Sequence, residues 1–310
     1  MIEWNLSAKD KNHLVSHSET IIGYIYTFLA YLLWGFLALY WHALDAVSSM
    51  EILAHRILWG FIFVVMIMIF QPKKRIAFFK LLKEFKTNFK QFFYIFVASL
   101  AISANWLTFI WAVHFGYIME ASLGLYITPI VSMILGVLIV KERIQTGTMI
   151  SMVIAILGVL IITYDYGKIP WVAISLAITS GIYGLTKKFI QTDALVGMCI
   201  ETLMVFPFAL LFLVFIQQNV FFGSDMHITL LLIFGGILTV LPLLWFAEGL
   251  KRISLATIGF FQYITPTITF LLGIFIFENT VTLMHWISFS FIWLSLAVFS
   301  FSMRKGRTTS

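Results

Sequence analysis

Charge is what this sequence lacks. Only 11% of its 310 residues are Asp, Glu, Lys or Arg, while 61% are hydrophobic. A soluble domain carries about a quarter of its residues charged. Here there is too little polar surface to wrap the apolar bulk, so lipid must solvate much of the exterior. Cysteine is nearly absent as well. The single Cys199 excludes an intrachain disulfide and gives no sign of an oxidised, secreted framework. There is no Walker loop, no HExxH, no CxxC pair and no glycine-rich dinucleotide turn. Nothing therefore calls for a metal or cofactor, none is expected, and no nucleotide-binding unit could drive pumping. A cleavable leader is not expected either. Residues 1–20 are polar, and the apolar run after them is too long and lacks a small-residue cleavage site.

What is present is a series of ten apolar stretches. They lie at roughly 21–43, 50–70, 91–113, 118–140, 147–164, 169–187, 195–217, 228–249, 254–277 and 281–302. Most reach the roughly 20 residues that a helix needs to cross about 30 Å of hydrocarbon. The expected fold is an all-α integral membrane protein with ten transmembrane helices. The net charge of +6 could suggest nucleic acid, but its distribution argues for topology instead. With an even number of spans, 18 of the 20 Lys and Arg residues fall in segments on one side, leaving Lys168 opposite and Arg56 within a span. Lys187 and Lys188 are counted among the 18. That asymmetry makes both termini cytoplasmic. The loop 72–90 alternates Phe78, Leu82, Phe85 and Phe89 with Lys80, Lys83, Lys86 and Lys90. It reads as an amphipathic helix on the cytoplasmic leaflet, running into the third span.

An internal repeat adds architecture. At an offset of 137, YITPIVSMILGVLI at 126–139 matches YITPTITFLLGIFI at 263–276, sharing Tyr-Ile-Thr-Pro and a later Gly in register. The copies lie in the fourth and ninth spans, five helices apart, so they cross in opposite senses. The expected units are a cytoplasmic segment 1–20, a five-helix repeat 21–164, an inverted repeat 169–302 and a basic tail 303–310. Such repeats recur in secondary transporters, with substrate held near the midplane between the halves. Pro129 and Pro266 free the carbonyls of Leu125 and Gln262. Both helices are therefore expected to kink and to line a central cavity.

Ionisable groups inside the spans are costly and so are candidate site residues. The second span opens with Glu51, His55 and Arg56, where Glu51 and His55 share a face. Glu51 lies near an interface and could be hydrated. Glu120 opens the fourth span, and Glu201 lies about two turns into the seventh. Burial would favour the protonated carboxyl at Glu201, making it the candidate for proton coupling. Glu248 is expected to pair with Lys251 or Arg252 near the cytoplasmic surface. Asn105, Trp106, Trp111, Tyr126, Gln262 and Tyr263 supply polar and aromatic surface at suitable depth. The opposed charges suggest a small polar organic solute, such as an amino acid or another zwitterion, or a drug. Two other classes stay open. One is a membrane-embedded enzyme acting on lipid or sugar headgroups with Glu51 and His55 as acid and base; the other is a lipid flippase or scaffold.

The segments AYLLWG at 30–35, EILAHRILW at 51–59, ANWLTFIWAV at 104–113 and MEASLGLYITP at 119–129 resemble the drug/metabolite transporter superfamily. KKFIQTDALVGMCIETL at 187–203, LPLLWF at 241–246 and GFFQYITPT at 259–267 continue the likeness, which falls in the EamA branch and its RarD-type permeases. The resemblance implies ten helices, cytoplasmic termini, a cavity between two halves, and movement of small metabolites or drugs across the bacterial inner membrane. It carries over Glu51, His55, Arg56, Asn105, Trp106, Trp111, Glu120, Glu201, Gln262 and Tyr263. His114, Leu125, Tyr126, Thr128 and Glu248 depart from its pattern, so substrate identity does not carry over.

Overall fold

The computed structural model describes residues 8–85, 88–115, 117–216, 226–276 and 282–308. They form twelve helices: α1 (Ala8–His42), α2 (Ser49–Ile69), α3 (Pro72–Glu84), α4 (Phe89–His114), α5 (Ile118–Leu138), α6 (Thr146–Tyr166), α7 (Trp171–Phe189), α8 (Ala194–Phe215), α9 (Met226–Arg252), α10 (Leu255–Gln262), α11 (Ile264–Phe275) and α12 (Leu283–Thr308). Nine helical segments among the described residues are long and apolar enough to span a bilayer, with α10 and α11 counted together. The expected sixth span, now α7, is not one of the nine. It carries Ser175, Thr179, Ser180, Thr186, Lys187 and Lys188. It is packed against α5 and α4, and Thr186 and Lys187 are buried within the protein.

Local chemistry sets the ends of these helices. Ser48 caps α2 by accepting from the Glu51 N–H, and Asp193 caps α8 through the Leu195 and Val196 N–H groups, the usual N-cap role of such side chains. Gly167 closes α6 with φ of 73°, a left-handed conformation that glycine adopts without strain. It separates α6 from α7 close to the expected 164–168 break. The helix α1 is longer than expected, beginning at Ala8. The amphipathic loop is helical only to Glu84, with Leu81 buried and Ile76, Phe79 and Leu82 exposed; Lys86 lies outside the described residues. Lys74 of α3 is paired with Asp193. Burial alone would raise the Asp193 carboxyl, but the Lys74 contact, together with Lys251 and the Leu195 N–H, more than offsets this and holds it below the usual range.

The helices meet through small residues and short polar bonds. Ser288 and Ser295 of α12 donate to the carbonyls of Gly158 and Ser151 on α6 at 2.7 and 2.8 Å, a contact typical of membrane helix pairs. The α2–α9 crossing brings two backbones into close contact. A Cβ at Gly236 would overlap the Gly60 nitrogen and stand 2.5 Å from the Trp59 carbonyl carbon. Backbone cannot yield as a side chain can, so Gly236→Ala should destabilise the protein by about 1–3 kcal/mol through overpacking. A melting curve in detergent, followed by size exclusion, measures this. An unchanged midpoint would mean that the crossing relaxes freely.

The two prolines behave differently. The helix α5 continues through Pro129, whereas the ninth span breaks at Tyr263 between α10 and α11, three residues before Pro266. Thr128 donates back to Gly124 of its own helix, while the matching Thr265 donates across to the Tyr31 carbonyl of α1 at 2.9 Å. The same four-residue motif thus meets different neighbours.

Candidate functional site

Five helices enclose a small cavity of about 20 Å³ at the centre of the fold, room for about one water. The helix α2 supplies Arg56, Ile57 and Gly60, α4 supplies Trp106, α7 supplies Tyr183, α8 supplies Glu201 and α9 supplies Thr239. Helical spacing explains the α2 contribution, since residues 56, 57 and 60 fall on one face. Of the sequence-derived candidates, the structure brings Arg56, Trp106 and Glu201 together here.

Arg56 is clamped. Its guanidinium carbon lies 4.6 Å from the Trp41 ring centroid and 5.4 Å from that of Trp106, within cation–π range. Its Nε donates to Thr239 Oγ1 at 2.9 Å. No carboxylate among the described residues lies within ion-pairing distance of it. Glu201 is in the opposite situation. Its Oε1 accepts from Lys187 Nζ at 2.7 Å and its Oε2 from the Tyr183 hydroxyl at 3.4 Å, and all three residues are buried. The cavity wall thus holds one compensated charge pair and one cation without a carboxylate.

The other candidates are placed elsewhere. Glu51 and His55 are both buried, with His55 Nε2 at 3.9 Å from Glu51 Oε1. Glu51 is therefore enclosed rather than hydrated, and neither residue lines the cavity. Asn105 Nδ2 donates to the Leu176 carbonyl, Thr179 and Ser180 at 2.9–3.0 Å, fastening α4 to α7. Trp111 stacks on Tyr117 and contacts Trp171 in an aromatic cluster at the helix ends. Glu120 accepts from the Tyr166 hydroxyl and the Val172 N–H, both at 2.9 Å, holding the start of α7. Tyr126 is packed edge-on against Phe289. Gln262 and Tyr263 are buried at the α10–α11 break.

The expectation that Pro129 and Pro266 line the cavity is not met by its lining residues. The helices α5 and α10 pack on each other instead, with the Pro129 carbonyl close against Gly259, where a Cβ would stand 2.8 Å away. Glu248 pairs with Lys251 at 2.9 Å and with Arg252, as expected. Lys187 is the main correction. Counted as a flanking cytoplasmic charge, it is instead buried in the last turn of α7 and bonded to Glu201. The spacing of Tyr183 and Lys187, four residues apart on one helical face, was the available signal. Trp41 and Thr239 carried none. No group of three or more His, Cys, Asp or Glu side chains that could hold a metal occurs among the described residues.

Comparison with known proteins decides the family. The model of the EamA-like transporter family matches twice, over residues 21–164 and 168–301. The chain belongs to the EamA-like transporter family. It is 41% identical over 297 residues to an uncharacterized transporter, YojE, of Bacillus subtilis, covering 96% of this chain and 99% of that protein. It is 36% identical over 284 residues to protein RarD of Escherichia coli, covering 91% and 94%. A crystal structure of a protein 16% identical aligns over 91% of this chain and 96% of its own with a TM-score of 0.64, a likeness of fold. The EamA and RarD-type resemblance read from the sequence is borne out. Together with the apolar helices, it makes this chain a multi-pass membrane protein of a transporter family.

Proposed function

We propose that this EamA-family protein is a secondary transporter for a small polar organic solute bearing a carboxylate, a class that includes amino acids. One observation carries the reading: a partly buried guanidinium flanked by two tryptophans, with no carboxylate among the described residues within ion-pairing distance. Burying an unpaired cation is expensive, and a substrate anion would offset that cost. Arginine suits the task because its planar fork meets a carboxylate with two bonds.

The proposed architecture is ten spans in two inverted five-helix halves, with cytoplasmic termini in a bacterial inner membrane. Helix packing supports the repeat. Exchanging each span with the one five later sends α4–α7 to α1–α9 and α5–α7 to the α1 contacts with α10 and α11. It likewise sends α2–α9 to α4–α8. The pairs α6–α12, α2–α8 and α5 with the ninth span map onto themselves. Alternating access is supported by an asymmetry within the last pair. The helix α5 packs mainly on α10, the cytoplasmic half of the ninth span, while α11 packs mainly on α1. Glu142 accepts from the Leu255 and Ala256 N–H groups at 2.6 and 2.8 Å. Lys188 donates to the Leu250 and Ile253 carbonyls. These bonds strap the cytoplasmic end closed.

Arg56→Lys tests the reading in reconstituted vesicles with a panel of labelled amino acids and other carboxylates. Lysine keeps the charge but loses the fork and the stacking, so uptake should fall by about tenfold or more while the protein stays folded. Intact transport in both Arg56→Lys and Arg56→Gln would remove Arg56 from the binding site and with it this proposal.

A further inference from the structure

The central cavity is too small for any organic solute, but it does not stand alone. A groove of about 430 Å³ opens beside it between α2, α4 and α8, within the range of about 300–1,000 Å³ found for small-molecule pockets. Leu53, Leu100 and Phe208 line it, and Ile57, Trp106 and Val205 line both spaces. Trp106 is therefore a shared wall. One side of its surroundings is the apolar groove; the other includes the Arg56 guanidinium at 5.4 Å from its ring. The polar groups in the groove are sparse, and Ser99 and Ser103 are bonded to the carbonyls of Glu201 and Ser99. The groove thus offers apolar contact along its length, and the Arg56 guanidinium stands in the adjoining cavity, beyond the wall formed by Trp106, Ile57 and Val205.

We propose that the groove is the apolar half of the substrate site, and that the substrate class is an amphipathic monocarboxylate with an extended hydrocarbon or aromatic body. The carboxylate sits at Arg56 and the body lies in the groove, passing Ile57, Trp106 and Val205. The charge argument selects this occupant over a neutral lipid chain, which would leave Arg56 unneutralised. The inference rests on the proposed function, keeping its carboxylate and adding an apolar body.

The test uses the full chain in nanodiscs, with 6-phenylhexanoate and its matched alcohol, 6-phenyl-1-hexanol, as probes. The acid should bind, and the alcohol should bind about tenfold more weakly. Arg56→Gln should abolish that preference. Ser103→Phe, which places a ring in the groove, should weaken the acid by about tenfold through lost apolar burial. If that variant misfolds, Ser103→Cys in a Cys199→Ser background replaces it, and the acid should slow its labelling by N-ethylmaleimide. Failure of the acid to bind the native protein overturns the inference. So does acid affinity unchanged in Ser103→Phe, or labelling of Ser103→Cys unaffected by the acid. Equal binding of acid and alcohol would make the groove a lipid pocket and overturn it too. Loss of carboxylate-panel uptake in Arg56→Gln, with Ser103→Phe or Ser103→Cys insensitive, leaves the central site standing and removes only the groove. Arg56→Lys and Arg56→Gln that both transport normally remove both.

Discussion

Lys187→Met should lower the stability of the protein sharply, and adding Glu201→Met should recover most of the loss. The Lys187 ammonium and the Glu201 carboxylate meet at 2.7 Å, with side chains only 4% and 3% exposed. Each charge is tolerated because the other is there. Removing one partner of such a pair leaves an uncompensated charge and costs about 3–5 kcal/mol, whereas replacing both with apolar groups of similar size is often neutral. Methionine approximates the length of both side chains and adapts to irregular gaps. The measurement is a thermal melt of the three variants in one detergent. A double variant no more stable than Lys187→Met would show that packing or the Tyr183 contact holds this region, not the pair. Native-like stability of Lys187→Met would show that the pair contributes nothing.

Glu201→Gln should abolish accumulation driven by an imposed pH gradient while leaving exchange of substrate across the membrane. We propose that Glu201 couples proton movement to substrate movement, as intramembrane carboxyls do in proton relays. The structure changes the form of that idea. Glu201 is paired with Lys187 and bonded by Tyr183, so protonating it would break a charge-assisted bond joining α7 to α8. That gives the proton a mechanical consequence beside the cavity. Glutamine keeps an acceptor for Lys187 but cannot take up a proton; it lowers stability by leaving the Lys187 charge uncompensated, and in the folded fraction binding and exchange should survive. The assay follows whichever panel carboxylate the native protein accumulates. Normal accumulation by folded Glu201→Gln vesicles under the gradient would remove Glu201 as the coupling site.

The elements were legible for a simple reason. Membrane helices need long apolar runs, and such runs are visible without knowing their neighbours. Even the polar sixth stretch was found, at 169–187 against the observed Trp171–Phe189, because apolar stretches and breaks on either side isolate it. Arg56 and Glu201 stood out because an ionisable group in an apolar run is rare on energetic grounds. The prolines misled. The freed carbonyls of Leu125 and Gln262 suggested a polar cavity, but at Pro129 itself the helix packs on α10, where Gly259 lets the two backbones approach, and neither proline lines the cavity. Glu120 looked like a site residue and instead holds the start of α7, 52 residues along the chain.

Hydropathy is a property summed along the chain, so the sequence by itself determined the membrane class and the apolar segments. Which charges meet depends on how each helix is rotated and what packs against it. Only the tertiary structure could therefore turn Lys187 from a surface marker into the partner of Glu201, leave Arg56 without a carboxylate partner among the described residues, and set Trp106 between a cavity and a groove.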